Sequence, residues 1–169
     1  MPRLIRRGRV EDDAFVVLRD ARTYDDVPEN TSVLVPLALW HSARDVLLTR
    51  GRAGVWLAPA DDPAALAPDV TRLSVIAVDF PSFNDGRGFS TARLLRERYG
   101  YAGELRAIGD VQRDQLAYLA QAGFDVFAVR ADRDLDDAVK ALADFTDGYQ
   151  STALRTPWFR RRAAAGAAS

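Results

Sequence analysis

Residues 75–90 read Val-Ile-Ala-Val-Asp-Phe-Pro-Ser-Phe-Asn-Asp-Gly-Arg-Gly-Phe-Ser, an apolar run that ends in an acidic, glycine-rich elbow carrying an arginine. Asp79, Asn84, Asp85 and Arg87 are the side chains there that can move a proton or grip an anion. Gly86 and Gly88 let the backbone approach a bound group closely. α/β proteins keep such residues at the carboxyl ends of strands. A helix starting near Ser90, with Ser90 as its N-cap, offers free amides and a positive dipole end to a phosphate, sulfate or carboxylate, and Arg87 can clamp that anion in bidentate fashion. The spacing is neither GxGxxG nor GxxxxGK[ST], so no nucleotide fingerprint is present. The same residues also suit a tight turn in which Asp85-Gly86 simply reverses the chain. Asp79 can act as a general base or orient a cation. Equally, it can accept elbow amides or pair with Arg87 or Arg106.

A second strand end repeats the theme in Gly109-Asp110-Val111-Gln112-Arg113-Asp114-Gln115. Asp110 has the position of an N-cap. Asp114 suits a helix dipole, but Arg113 and Gln115 exceed what a helix start requires and are candidate ligand contacts. Pro59, Asp61 and Asp62, then Arg130 and Asp132, complete the polar loops at strand ends. His41 opens a helix beside Trp40 and fits a capping or surface role better than a catalytic one. Trp40, Trp56 and Phe83 can line a pocket, although core packing accounts for them as well.

These loops must be held by regular elements. Residues 4–19 read as a hairpin, with Leu4-Ile5 and Phe15-Val16-Val17-Leu18 as its arms, and a polar loop extends to residue 30. Strands follow at 33–37, 55–58, 75–79, 105–109 and 124–129, of which 75–79 is nearly all β-branched or small, as in a strand buried on both faces. Helices are expected at 40–50, closed by Gly51, and after Asp62-Pro63 as cap and first position. Others follow from Ser90 to Gly100, at 111–122, closed by Gly123, and from Asp134 to about Tyr149. Phe89, Ala92, Leu95 and Tyr99 form one stripe, with Arg93, Arg96, Glu97 and Arg98 largely opposite. Leu135, Ala138, Val139, Leu142 and Phe145 form the clearest stripe.

Five strand–helix units in succession predict an α/β protein with a mostly parallel five-stranded sheet preceded by an N-terminal β-hairpin. An open doubly wound sheet is the first expectation and an incomplete β/α barrel the alternative; both set the same loops on one rim. A single domain spans 1–159, with hairpin and loop in 1–30 and repeated units in 31–150. The arginine–alanine tail at 160–169, including Arg160 to Arg162, reads as disordered.

Composition narrows the chemistry. The chain has 169 residues, a formal net charge of −1, one histidine and no cysteine. No basic face points to nucleic acid. Disulfides, thiolate nucleophiles, thiolate metal sites and a histidine cluster for a metal are excluded within one subunit. No segment has signal-peptide form or the length to span a bilayer, which makes the cytoplasm the expected location.

The segments 80–90, 92–98, 103–111, 113–116 and 123–125 resemble a bacterial family of unknown function whose genes commonly lie beside assimilatory sulfite reductase. Val35-Pro36-Leu37 with Trp40, and Gly54-Val55-Trp56-Leu57, also fit. Gln112 replaces the usual leucine, and Gln121-Ala122 stands where arginine-cysteine is frequent, so a thiol mechanism is not general to the family. The resemblance implies a sulfur-assimilation context, with sulfite reductase as partner and an oxidoreductase label that no flavin or nicotinamide fingerprint here supports. The cofactor stays open. The leading expectation is an accessory protein of assimilatory sulfite reduction that binds a small anionic ligand or cofactor. The binding set is Asp79, Asn84, Asp85, Gly86, Arg87, Gly88, Ser90, Gly109, Asp110, Arg113 and Gln115. The alternatives are an enzyme on a phosphorylated or carboxylated substrate, with Asp79 or Asp85 as acid or base, and a non-catalytic interaction module.

Overall fold

A computed structural model describes residues 2–82, 84–129 and 134–147. Phe83, Arg130, Asp132, the expected helix end at Tyr149 and the tail at 160–169 lie outside the described residues.

The described residues form eight strands: β1 (Arg3–Arg6), β2 (Arg9–Asp12), β3 (Phe15–Val17), β4 (Ser32–Pro36), β5 (Ala53–Leu57), β6 (Val75–Phe80), β7 (Glu104–Gly109) and β8 (Val126–Phe127). Helices α1 (Leu37–Arg50), α2 (Arg87–Arg93), α3 (Leu116–Ala122) and α4 (Leu135–Asp147) alternate with the later strands, and short 3-10 turns precede β6 and α3. The sheet order is β2-β1-β8-β7-β6-β5-β4-β3. Pairing is parallel from β3 to β8 and antiparallel at β8 with β1 and at β1 with β2.

Each of β4 to β8 overlaps an expected strand, although β8 covers only Val126–Phe127 of 124–129, and the expected helices are present with shifted starts, α2 at Arg87 and α3 at Leu116. Two expectations are corrected. First, the sheet has eight strands rather than five, and the hairpin pairs β1 with β2 through Arg7-Gly8, both at positive φ. The run at 15–18 is not its second arm: β3 crosses to the opposite edge and pairs in parallel with β4. Hydrophobic alternation marked this run as a strand but carried nothing about its partner. Second, the strand order from β3 to β8 follows the sequence without reversal, so the switch point of a doubly wound sheet is absent.

The sheet is curled, and chain connectivity requires it. β2 and β3 occupy opposite edges, yet only Asp13 and Ala14 separate them. The edges of a flat eight-stranded sheet lie about 34 Å apart, whereas the chain from residue 12 to residue 15 reaches at most about 11 Å. The edges must therefore meet.

Side chains inside the curl bear this out. Arg106 of β7 is 1% exposed and donates to Asp13 Oδ1 (2.8 Å) and to Glu104, with its guanidinium over the Phe15 ring of β3 at 4.6 Å. Glu104 also accepts from Arg6 (3.2 Å), which reaches Glu11 on β2 at 2.5 Å. Asp13 Oδ1 additionally accepts the Phe15 amide (2.9 Å), which pins the link between the two edges.

The two faces of the sheet are distinct. Ile76, Val78 and Phe80 join the large core beneath the helices, while Val75 and Ala77 pack with Leu34, Ile108, Phe15, Val17 and Trp56 on the other face. Strand alternation puts Asp79 on that second face.

In the helical layer, Gly88 lies so close on the Phe80 ring that any Cβ would overlap it. Phe80 also meets Phe89 and Phe124 edge-on, at 5.7 and 5.8 Å. After Arg93 the helix widens into a π turn over Leu94–Arg98, and Arg96, four residues after Ala92, faces inward with it. The expectation of Arg96 on the outer side is thus corrected. Its guanidinium is buried and donates to the carbonyls of Gly123 (2.9 Å), Tyr101 (2.9 Å) and Gly103 (2.7 Å) and to Asp125 (3.5 Å). A buried arginine is tolerated because its donors find acceptors. Buried Asp69 is held similarly, accepting from Trp40 Nε1 at 3.0 Å and pairing with Arg44 at 3.2 Å, so Trp40 is a core residue.

Burial also pushes the Tyr101 hydroxyl well above its ordinary value of 10.0, and it donates to the Glu104 carbonyl at 3.1 Å. The folded state then holds this proton more tightly than the unfolded state does. The contribution to stability is full below pH 10 and is lost as pH rises above that value. The urea midpoint of the wild type should fall above pH 10 more steeply than that of Tyr101→Phe, and parallel curves would refute this assignment.

Candidate functional site

The carboxyl ends of β3, β5, β6 and β7 converge at one mouth of the curled sheet. Arg19, two residues beyond β3, forks onto Asp79 near the end of β6: Nη1 donates to Oδ2 at 3.1 Å and Nη2 to Oδ1 at 3.0 Å. The Arg19 guanidinium stands 5.5 Å from the centre of the Trp56 ring, and Trp56 Nε1 donates to the Leu18 carbonyl at 3.1 Å, tying the start of that loop to β5. The Asp79 side chain is 7% exposed and that of Arg19 47%. One partner thus belongs to the interior and the other to the opening. Hydrogen bonding to Asp79 raises the Arg19 guanidinium above its ordinary value, against a smaller opposing effect of burial.

An open cleft of about 400 Å³ lies here, lined by Arg19, Asp79, Pro81, Gly109 and Asp110. Its floor depends on Gly109. This residue has φ +90°, and a Cβ would come within 2.5 Å of the Phe80 carbonyl oxygen and 2.6 Å of Asp79 Oδ1. The tight approach lets the Asp110 amide donate to the Phe80 carbonyl at 2.6 Å, locking the ends of β6 and β7 together.

The sequence-derived site residues divide into two groups. Asp79, Gly109 and Asp110 share the cleft. The elbow residues do not line it. Asp85 and Arg87 form an exposed fork with each other, Nε to Oδ1 at 3.0 Å and Nη2 to Oδ2 at 2.7 Å, and Asp85 Oδ1 accepts the Arg87 amide at 3.1 Å. Arg87 accordingly holds the Asp85 carboxyl below its ordinary range. Asn84 and Gly86 are exposed, whereas Gly88 is buried against Phe80.

Two local corrections follow. α2 begins at Arg87 with Gly86 in the N-cap position, so Ser90 lies inside the helix and exposed rather than capping it. Asp110 is not an N-cap, because the turn before α3 starts at Arg113 with Gln112 ahead of it. Arg113 extends to Asp137 of α4 at 2.8 Å, and half-buried Gln115 ends the same turn. Among the outer loop residues, Asp61 and Asp62 accept amides of their own turn, from Ala58 (2.8 Å) and Ala64 (2.9 Å). The cap expected at Asp62 is thus present.

Arg19 was missed by the sequence reading. Its nearest signal was a single arginine just after the run at 15–18, and that signal was hidden once the run was assigned to a hairpin rather than to a strand feeding the rim.

The curled, mostly parallel sheet with alternating helices defines an α/β protein. Residues 54–159 match the family model described as "Bacterial protein of unknown function (DUF934)", and the chain belongs to this family. No curated protein and no solved structure matches the chain. Among the described residues, no helix is long and apolar enough to cross a membrane.

Proposed function

We propose that this protein is an accessory protein of assimilatory sulfite reduction that binds a small anionic ligand at the mouth of the curled sheet and acts in the cytoplasm beside sulfite reductase. The observation that carries the ligand-binding part is the half-exposed Arg19 guanidinium at an open cleft, oriented by Asp79 and Trp56. Strand carboxyl ends are where α/β sheets gather ligand contacts, and a preset planar guanidinium recognises oxyanions. The sulfite-reduction context rests on the resemblance of the 80–125 segment. An acid–base role for Asp79 has less support, since both its oxygens accept from Arg19. A redox role would draw on a flavin or a partner's cofactor, since the sequence has no cysteine to form a dithiol couple.

The test is genetic. A strain lacking this gene should grow poorly with sulfate as sole sulfur source and recover on sulfide, which enters after the sulfite step. Normal growth on sulfate would remove the sulfite-reduction assignment.

A further inference from the structure

We infer that Arg19, rather than the elbow arginine Arg87 or the helix arginine Arg113, is the ligand-contacting cation, and that it takes a small singly charged anion: a carboxylate or a monoanionic oxyacid. This rests on reading the mouth as the ligand-binding end. Arg19 is the one arginine among the described residues that lines the cleft. A guanidinium has five N–H donors, and Arg19 directs two of them to Asp79, from Nη1 and Nη2. The remaining three belong to a side chain that is nearly half exposed at the cleft. Arg87 and Arg113 have acceptors outside the cleft, in Asp85 and Asp137. The Asp110 amide is no substitute, since it is already bonded to the Phe80 carbonyl.

Charge sets the ligand class. Asp79 neutralises Arg19 from behind. A monoanion therefore meets a locally balanced fork, whereas a dianion carries a further charge toward the Asp79 carboxylate. It follows that Asp79 restrains anion affinity while it orients the arginine. Removing its charge and keeping its shape should strengthen binding. A catalytic or cation-binding Asp79 predicts the opposite sign.

The test uses the full chain with acetate and methanesulfonate as monoanionic probes and sulfate as the dianion. Binding is followed through the arginine Nε–H resonances and by calorimetry. Expected results are saturable binding of a monoanion that shifts the Arg19 resonance, at least about tenfold loss in Arg19→Gln, and about tenfold gain in Asp79→Asn with sulfate then able to compete. Arg19→Lys should keep part of the affinity, because it retains charge without the fork. Thermal melts establish that each variant is folded; if Arg19→Gln is not, the sign of the Asp79→Asn change decides. The inference is overturned if neither monoanion binds saturably at tens of millimolar, if Asp79→Asn weakens binding, or if Arg87→Gln or Arg113→Gln abolishes it while Arg19→Gln does not. Normal growth on sulfate with Arg19-dependent binding intact would remove the pathway assignment alone. A growth defect rescued equally by wild type and Arg19→Gln would remove this one.

Discussion

Replacing Arg96 by methionine is expected to lower the free energy of unfolding by about 3–5 kcal/mol, the cost typical of removing one partner from a buried charge network. Methionine can fill most of the space of the aliphatic stem, so a cavity is not the main cause. The loss comes from the carbonyls of Gly123, Tyr101 and Gly103, which have Arg96 as a donor inside the helical layer. Buried acceptors stripped of their donors cost about 1–3 kcal/mol each. The effect should spread, because Arg96 links the end of α3 to the turn before β7 and also meets Asp125, which accepts the Leu105 amide at 2.7 Å. Arg98→Met, on the exposed side of the same helical segment, should stay within about 0.5 kcal/mol of wild type. Urea denaturation of the two variants side by side checks this. Equal midpoints would mean that the buried arginine is not a structural hub.

The second large effect is expected at Gly109. Gly109→Ala demands a positive φ from a residue with a Cβ and drives that atom against the Phe80 carbonyl and the Asp79 carboxylate. The strain and the overlap together should cost about 2–4 kcal/mol. The damage also falls on the cleft, since relief requires β6 and β7 to part where Asp110 is bonded to Phe80. Gly86→Ala is the informative contrast. A Cβ there meets nothing within 4 Å, and φ is −82°, so the change should be neutral or stabilise by about 0.5 kcal/mol through the unfolded chain. Thermal unfolding of both variants, with amide spectra reporting on the strand ends, separates the cases. A stable Gly109→Ala with an unchanged spectrum would contradict the close approach described here.

The parallel strands β4 to β7 were legible in the sequence because each is a short, mainly apolar run that ends where a polar loop or a helix start begins. The curl was not. It follows from which edge β3 joins, a long-range choice that leaves no periodic mark. Arg96 shows a different limit: its spacing of four from Ala92 places it on the inner face, but a guanidinium reads as an outward residue until the buried carbonyls that accept from it are known.

Within the candidate site, Asp79, Gly109 and Asp110 could be found because they end strands. Asp85 and Arg87 have the same composition as a ligand clamp, yet two residues of separation let them satisfy each other. Residue type and spacing identified groups able to bind an anion. Which of them face a common space depended on the partner each reaches first.

The N-terminal strap has a consequence for birth on the ribosome. β1 completes its pairing only with β8, so residues 3–6 emerge first and must wait for Val126 and Phe127 before their second neighbour exists. Until then Ile5, fully covered in the finished molecule, and the edge of β8's future partner stay open to other chains. Nascent chains arrested before residue 126 should therefore be cut by protease within the first dozen residues, and chains released after it should resist.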